Sequence, residues 1–429
     1  MAQTQVPQAQ TLQYTQGTSL SDLFAQDLTD GQYCFILNYP ATASWAVYPN
    51  TSKYLLQDGS DEATKTSYDK ISQKEPWKNL AVLGDLIPGI VIRPPRNLLI
   101  DYWRDHFGFQ YNNMEVLQRS LYLDYLNQSN RFDHVLTLFP FDRLHPSKHA
   151  IDPDVHYRLL SKVSLADLGV PCPHYTSYDL RQIFLNQVPL PDQFPYLIKT
   201  SHGLSGEGTY IIKSVSDLNY CLSELEKYLE SQMLTTIIVS DFVKDAIENH
   251  CMQFYVSKTG EVTLIGVTSQ LVTSEGNFLG GLIHYNNPEI DKFAEMIMAI
   301  AQYAHQQGYF GIIGCDVLET KDGELYAIDA NFRINGSTPL CLQRHSLLQV
   351  GKEVAKYSSD YHMNGTLDDI LTTLKPELDR KDFLILSALE KMKYGKIYTD
   401  IYGIVAGETM EEMQAIEQNL FHKGLQLVS

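Results

Sequence analysis

Residues 311–338 read GIIGCDVLETKDGELYAIDANFRINGST, two apolar, strand-forming runs joined by Asp322-Gly323. An Asp-Gly pair between such runs predicts a tight hairpin. Asp316 and Asp329 then stand on facing arms, and 329 minus 316 places them 13 residues apart, which brings both carboxylates to one end of paired strands. Asn331 follows Asp329 at the two-residue period of a strand and shares its face. Two carboxylates and an amide oxygen make a hard, oxygen-only set suited to Mg²⁺ or Mn²⁺. Arg333 continues that face, with a planar fork able to clamp a carboxylate or phosphate. A solvated, charged hairpin is the competing reading. The apolar surroundings weigh against it, because bare carboxylates among GIIGC and LYAI are costly unless a cation meets them.

Working upstream, residues 197–212 read LIKTSHGLSGEGTYII, a lysine closing an apolar run and then a glycine-rich turn between strands. Gly203, Gly206 and Gly208 allow backbone N–H groups to converge on an anion, and Ser205 and Thr209 add hydroxyl donors. The stretch matches neither the Walker loop nor the dinucleotide fingerprint, so a plain flexible hairpin turn uses the same residues. Lys199 belongs to a strand whose burial demands a partner for the ammonium. Lys162 precedes it by 37 residues (199 minus 162) on the preceding helix; beside a phosphate loop the two cations neutralise nucleotide phosphates, and a surface lysine is the alternative for Lys162 alone.

Composition bounds the rest. A chain of 429 residues calls for two or three domains. Thirty-three basic against 51 acidic residues give a net charge of −18, which argues against general binding to nucleic acid or anionic membranes. The six cysteines are scattered without a CxxC pair, as reduced, buried thiols of a cytoplasmic protein are. The first twenty residues lack Lys, Arg and an apolar core, so they are expected to be a mobile tail, neither signal nor transit peptide.

Alternating apolar runs and amphipathic stretches predict an α/β domain over 21–150, with strands at QYCFILNYP and GIVIRPP and helices at LIDYWRDHFGF and MEVLQRSLYLDYL. A second, α+β domain is expected over 151–375, divided into lobes at about 170–245 and 246–375. DVHYRLLSKVSLADLGVPCP opens it as a helix ended by Gly169 and Pro171. SVSDLNYCLSELEKYLESQ is a serine-capped helix, and YVSKTGEVTLIGV is a hairpin. The segment SQLVTSEGNFLGGLIHY is expected to loop over a cleft. Residues 376–429 form a small C-terminal α/β unit.

The ordered set resembles the ATP-grasp superfamily: a helix carrying SK and ending in LGVPCP, a strand with the LIK lysine, a glycine-rich lid, a hinge strand IIVSDFVKD, and a D…D-x-N-x-R hairpin, over about residues 155–340. The preceding α/β domain resembles the pre-ATP-grasp domain of carboxylate–amine ligases, including L-amino acid and peptide ligases. The resemblance implies an ATP site between two lobes and amide formation through an acyl phosphate, releasing ADP and phosphate. Carried onto this chain, it assigns Lys162, Lys199, Gly203, Ser205, Gly206, Gly208 and Thr209 to the phosphates, and Asp316, Asp329 and Asn331 to Mg²⁺. It also implies that main-chain groups of Asp241 and Val243 read adenine, and that His250 holds the ribose. Arg333, Lys199 and Asn335 would then serve catalysis, with Arg333, Ser337, Thr338 and His202 toward substrate. Ser240 stands where the hinge usually carries glutamate. Homodimers are common among such relatives. A phosphate transfer to a hydroxyl and a catalytically idle nucleotide-binding scaffold are the competing functions.

Overall fold

The computed structural model describes residues 12–38, 53–54, 74–118, 121–203, 206, 208–231, 236–273 and 278–427. Within them the strands are β1 (Tyr33–Ile36), β2 (Gly89–Val91), β3 (Met114–Val116), β4 (His134–Thr137), β5 (Tyr175–Asp179), β6 (Tyr196–Thr200), β7 (Thr209–Ile212), β8 (Thr236–Asp241), β9 (Ala246–Val256), β10 (Val262–Val272), β11 (Phe278–His284), β12 (Gly311–Thr320), β13 (Leu325–Asn331), β14 (Val354–Asn364), β15 (Phe383–Lys393), β16 (Lys396–Gly407) and β17 (Leu425–Leu427). They make three sheets. The first has the order β3-β2-β1-β4, all parallel. Its central strand is buried at every position, as a strand covered on both faces should be.

The second sheet, β5-β8-β6-β7, is antiparallel. The third has nine strands, ordered β13-β12-β9-β10-β11-β14-β16-β15, with β17 added beside β14. The C-terminal α/β segment belongs to this sheet, because β16 pairs with β14 from Val354↔Gly407 to Asn364↔Tyr398. Buried residues from all three sheets meet in one main apolar cluster, so burial of nonpolar surface joins the parts, while Cys34, Ile36, Ile90 and Val135 of the first sheet pack with Tyr122 and Leu126 in a second.

Local chemistry explains most elements. The hairpin of β12 and β13 turns at Gly323, whose φ of 79° suits a residue without a Cβ. The helix Val215–Ser231 starts after Ser214, whose hydroxyl oxygen accepts from the Asp217 N–H at 3.3 Å.

Three expectations change. MEVLQRSLYLDYL is not one helix: Met114–Val116 is drawn into parallel pairing with β2, and the helix starts at Tyr122. Lys162 opens a separate 3₁₀ stretch, Lys162–Leu168, after the helix Pro153–Leu159 ends. The expected mobile tail over 1–20 is anchored from Gln13 on. Tyr14 bridges Leu264, the Thr15 N–H donates to the Leu264 carbonyl at 2.8 Å, and Ser19 caps the helix Leu20–Phe24. Residues 1–11 lie outside the described residues. All six cysteines are unpaired, and no helix among the described residues is long and apolar enough to cross a membrane.

Candidate active site

Asp316 and Asp329 are directly paired across β12 and β13, and the register shifts just after Asp316. That puts two carboxylates within one apolar sheet edge. Burial, and after it the charge of Asp329, pushes the Asp316 carboxyl up to about 7. Burial also opposes ionisation of Asp329, yet the Lys162 ammonium 2.6 Å from its Oδ2 holds its pKa below the ordinary value. Two acids driven apart in this way mark a site that wants a further cation. The donors present, Asp316, Asp329 and the Asn331 amide, fit Mg²⁺ by their oxygen-only chemistry.

Lys199 lies on β6 opposite Thr209, the first residue of β7, so the glycine-rich segment does connect the two arms of a hairpin. Its Nζ donates to the Ile328 carbonyl at 3.2 Å. Burial brings its ammonium down to about 8, although Asp329 favours the charged form. Gly208 serves the turn itself. Its φ is 75°, its carbonyl accepts from the Thr200 N–H at 2.7 Å, and a Cβ there would stand 2.1 Å from the Thr200 hydroxyl.

Between the second sheet and the third lies a cleft of about 530 Å³. Lys162, Lys199, Gly203, Gly206, Thr209, Asp241, Val243, Asp316, Asp329, Asn331, Arg333, Asn335 and Ser337 line it. One end is apolar, with Leu197, Ile211, Phe242, Leu318 and Ile328 around the hinge. These apolar residues were missed in the sequence, since each also reads as ordinary core. Ser205 lies outside the described residues, and Gly208 is not among the lining residues.

Three further expectations are corrected. His250 is on the far side of β9: it is buried, its Nε2 is 2.7 Å from Glu319 Oε2, and it faces a second cavity. The strand alternates, so its neighbour Asn249 faces the cleft instead. His202 is stacked on Tyr157, with ring centroids 4.1 Å apart, and its Nε2 donates to the Tyr157 carbonyl at 3.1 Å. Burial lowers its pKa to about 4, so it is a neutral packing residue outside the cleft lining. Thr338 is fully buried and donates to Gln253 Oε1 at 2.6 Å while accepting from the Asn335 N–H at 2.9 Å.

That last pair belongs to a framework. Gln253 Nε2 also donates to Ser337 Oγ at 2.8 Å, and the Asn335 amide donates to the Arg333 carbonyl at 2.8 Å. Gly314 leaves the space for Asn335, whose side-chain atoms would sit 2.3–2.5 Å from a Cβ. The loop after β13 is thereby fixed, and Arg333 is aimed by a 2.7 Å bond to Asn331 Oδ1 with its guanidinium over the Phe139 ring.

Three cleft atoms are buried without any hydrogen-bond partner: Asn249 Oδ1, Gln270 Nε2 and Arg333 Nε. Burying polar atoms unpaired is costly, so each would gain from a molecule seated in the cleft. Gln270 comes from the segment expected to be a loop; residues 262–272 and 278–284 are strands instead, and 274–277 lie outside the described residues.

Residues 173–331 match the profile of a family described as L-aspartate–L-methionine ligase, ATP grasp. Among solved structures, the L-amino acid ligase from Bacillus licheniformis aligns at 12% identity over 92% of this chain and 98% of its own, with a TM-score of 0.54. N5-carboxyaminoimidazole synthetase from Staphylococcus aureus, complexed with ADP, aligns at 13% identity over 81% of this chain and 92% of its own, with a TM-score of 0.51. The biotin carboxylase domain dimer of 2-oxoglutarate carboxylase from Hydrogenobacter thermophilus, in complex with MgADP, shows 12% identity over 80% and 86%, with a TM-score of 0.51. At these identities the solved structures speak for the fold. The match to an ATP-grasp ligase family thus lies in residues 173–331, and the solved structures share this chain's fold.

Proposed function

We propose that this protein uses ATP to activate the carboxylate of an amino acid as an acyl phosphate and passes the acyl group to the amine of a second, releasing ADP and phosphate. L-aspartate and L-methionine, named by the matched family, are the first pair to try. The observation that carries this reading is the paired Asp316 and Asp329 with Lys162, Lys199 and Arg333 around one cleft.

Each residue then has a task. The apolar pocket beside Asp241 and Val243 takes adenine, and Asn249 replaces His250 as the group for a ribose hydroxyl. Lys162, Lys199, Gly203, Gly206 and Thr209 hold the phosphates, with Lys162 leaving Asp329 as they arrive. Asp316, Asp329 and Asn331 would hold Mg²⁺, which supplies charge neutralisation for the transferred phosphoryl group. Arg333, steadied by the Asn335 and Ser337 framework, faces the acyl phosphate and stabilises charge that grows on it. The carboxylate oxygen attacks the γ-phosphorus and ADP leaves. The amine then attacks the acyl carbon and phosphate leaves with the bonding pair.

Trapping tests the intermediate. With ATP, Mg²⁺, L-aspartate and hydroxylamine, the protein should yield aspartyl hydroxamate together with ADP and phosphate. ADP formed with a stable phosphoester and no hydroxamate would mark a kinase instead.

A further inference from the structure

The end of the cleft opposite the hinge is closed by residues from the first domain. Strand β6 and the segment before β5 lie against the β12–β13 edge, where Lys199 reaches the Ile328 carbonyl and the Ala327 N–H donates to the Pro171 carbonyl at 2.8 Å. Strands β9, β10 and β11 separate that edge from β14. Over Tyr357 of β14 sits the helix spanning residues 74–81, which presents Glu75 and Lys78 to the cleft. Lys78 is 2% exposed and Glu75 is 20% exposed at their side chains, with Lys78 Nζ 2.6 Å from Glu75 Oε2. The Lys78 ammonium also stands 5.7 Å from the centres of the Tyr357 and Tyr402 rings. Both line the cleft, and Glu75 is the more exposed of the two.

A charge pair buried this deeply is a poor source of stability, and the same helix is already tied to the third sheet by Lys74, which is 3.6 Å from Asp400 Oδ2 and over the Tyr402 ring. Burial alone would favour a neutral Glu75, but Lys78, the Tyr402 hydroxyl and Lys74 outweigh it and keep the carboxylate ionised. The Glu75 carboxylate, its charge shared with Lys78, is an acceptor that this end of the cleft offers to a donor such as an ammonium. The orphaned Gln270 Nε2 lines the same half of the cleft and offers a donor for an acid oxygen of the same ligand. Gln270 pairs with Gly281, and Gly281 with Tyr357, so the amide and the aromatic ring share one face of the sheet, with Phe278 stacked on Tyr357 beside them.

We propose that Glu75, positioned by Lys78 and Tyr402, binds the ammonium group of an amino-acid substrate, with Gln270 beside it as donor to that substrate's acid oxygen. This assignment rests on the ligase reading above and extends it to a residue outside the ATP-grasp motifs.

Steady-state kinetics of the full chain, with ATP, Mg²⁺, L-aspartate and L-methionine, test it. In Glu75→Gln the KM of one amino acid should rise tenfold or more, while the KM of ATP stays within twofold. Glu75→Asp, which keeps the charge, should recover part of the loss. Thermal melts of each variant with ATP check that the fold is kept, since the Gln variant removes the Glu75–Lys78 ion pair. A rise confined to L-aspartate assigns the acyl donor's ammonium, and a rise confined to L-methionine assigns the acceptor's; either supports the proposal. In the donor case, N-acetyl-L-aspartate should be used equally poorly by wild type and the Gln variant. Unshifted KM values for both amino acids in an active Glu75→Gln protein overturn the proposal alone. A wild type inactive with this pair removes the ligase reading for these substrates and this assignment with it.

Discussion

Replacing Asp316 by asparagine should kill turnover and at the same time strengthen the protein in the absence of nucleotide and metal. Asp316 is held among buried groups opposite Asp329, and its carboxyl rises from 3.8 to about 7. At about 1.4 kcal/mol per pKa unit this displacement costs the folded state roughly 4 kcal/mol at high pH, or about 2–4 kcal/mol once partial solvent access is allowed for. The sign follows from proton uptake. Between pH 3.8 and about 7 the folded state binds the proton that the unfolded state releases, so wild type loses stability as pH rises through that window. The asparagine variant has no such loss. Urea melts at pH 5 and pH 8, without ATP and with chelator, should show a gain of about 1–2 kcal/mol at the lower pH and about 2–4 kcal/mol at the higher. Mg²⁺ with ATP should then raise the melting temperature of wild type more than that of the variant. A variant less stable than wild type at pH 8, or one that keeps its activity, would refute the assignment of Asp316 as a strained metal carboxylate.

Other expectations are simpler. Asn249→Ala should raise the KM of ATP about fivefold or more by removing an unpaired acceptor from the cleft, whereas His250→Ala should leave that KM unchanged and cost stability only. Gly208→Ala adds a Cβ at a φ of 75°, 2.1 Å from the Thr200 hydroxyl, so a lower melting temperature and a weakened ATP affinity should appear together. His156 and His202 are buried neutral, each lowered from 6.5 to about 4; their contribution is intact above pH 6.5 and lost as pH falls through 4, about 2 kcal/mol each by pH 5. Replacing His156 with glutamine should flatten that acid limb in denaturant titrations.

The parts of the site legible in the sequence are those whose chemistry has a local signature. Asp322-Gly323 sets the hairpin and with it the facing of Asp316 and Asp329, and the apolar run before Lys199 announces its burial. Sequence order alone could not say which side of β9 faces the cleft. The strand is buried on both sides from Cys251 to Val256, where only Gln253 is polar, so nothing in its pattern favours Asn249 over His250, and a one-residue slip exchanged them. His202 and Thr338 look like functional groups because they are polar and near the motifs. Their partners, the Tyr157 ring and Gln253, arrive from 45 and 85 residues away. Glu75 was hidden for the same reason: its helix meets the cleft through Tyr357 and Tyr402, contacts that no local pattern encodes.

The central claim is tested most directly by incubating the purified protein with ATP, Mg²⁺, L-aspartate and L-methionine, measuring ADP and phosphate together and weighing the products. Equal release of both is expected, dependent on both amino acids, with a new species of the mass of the two joined less one water. ADP without phosphate, or nucleotide turnover indifferent to any amino acid supplied, would contradict it.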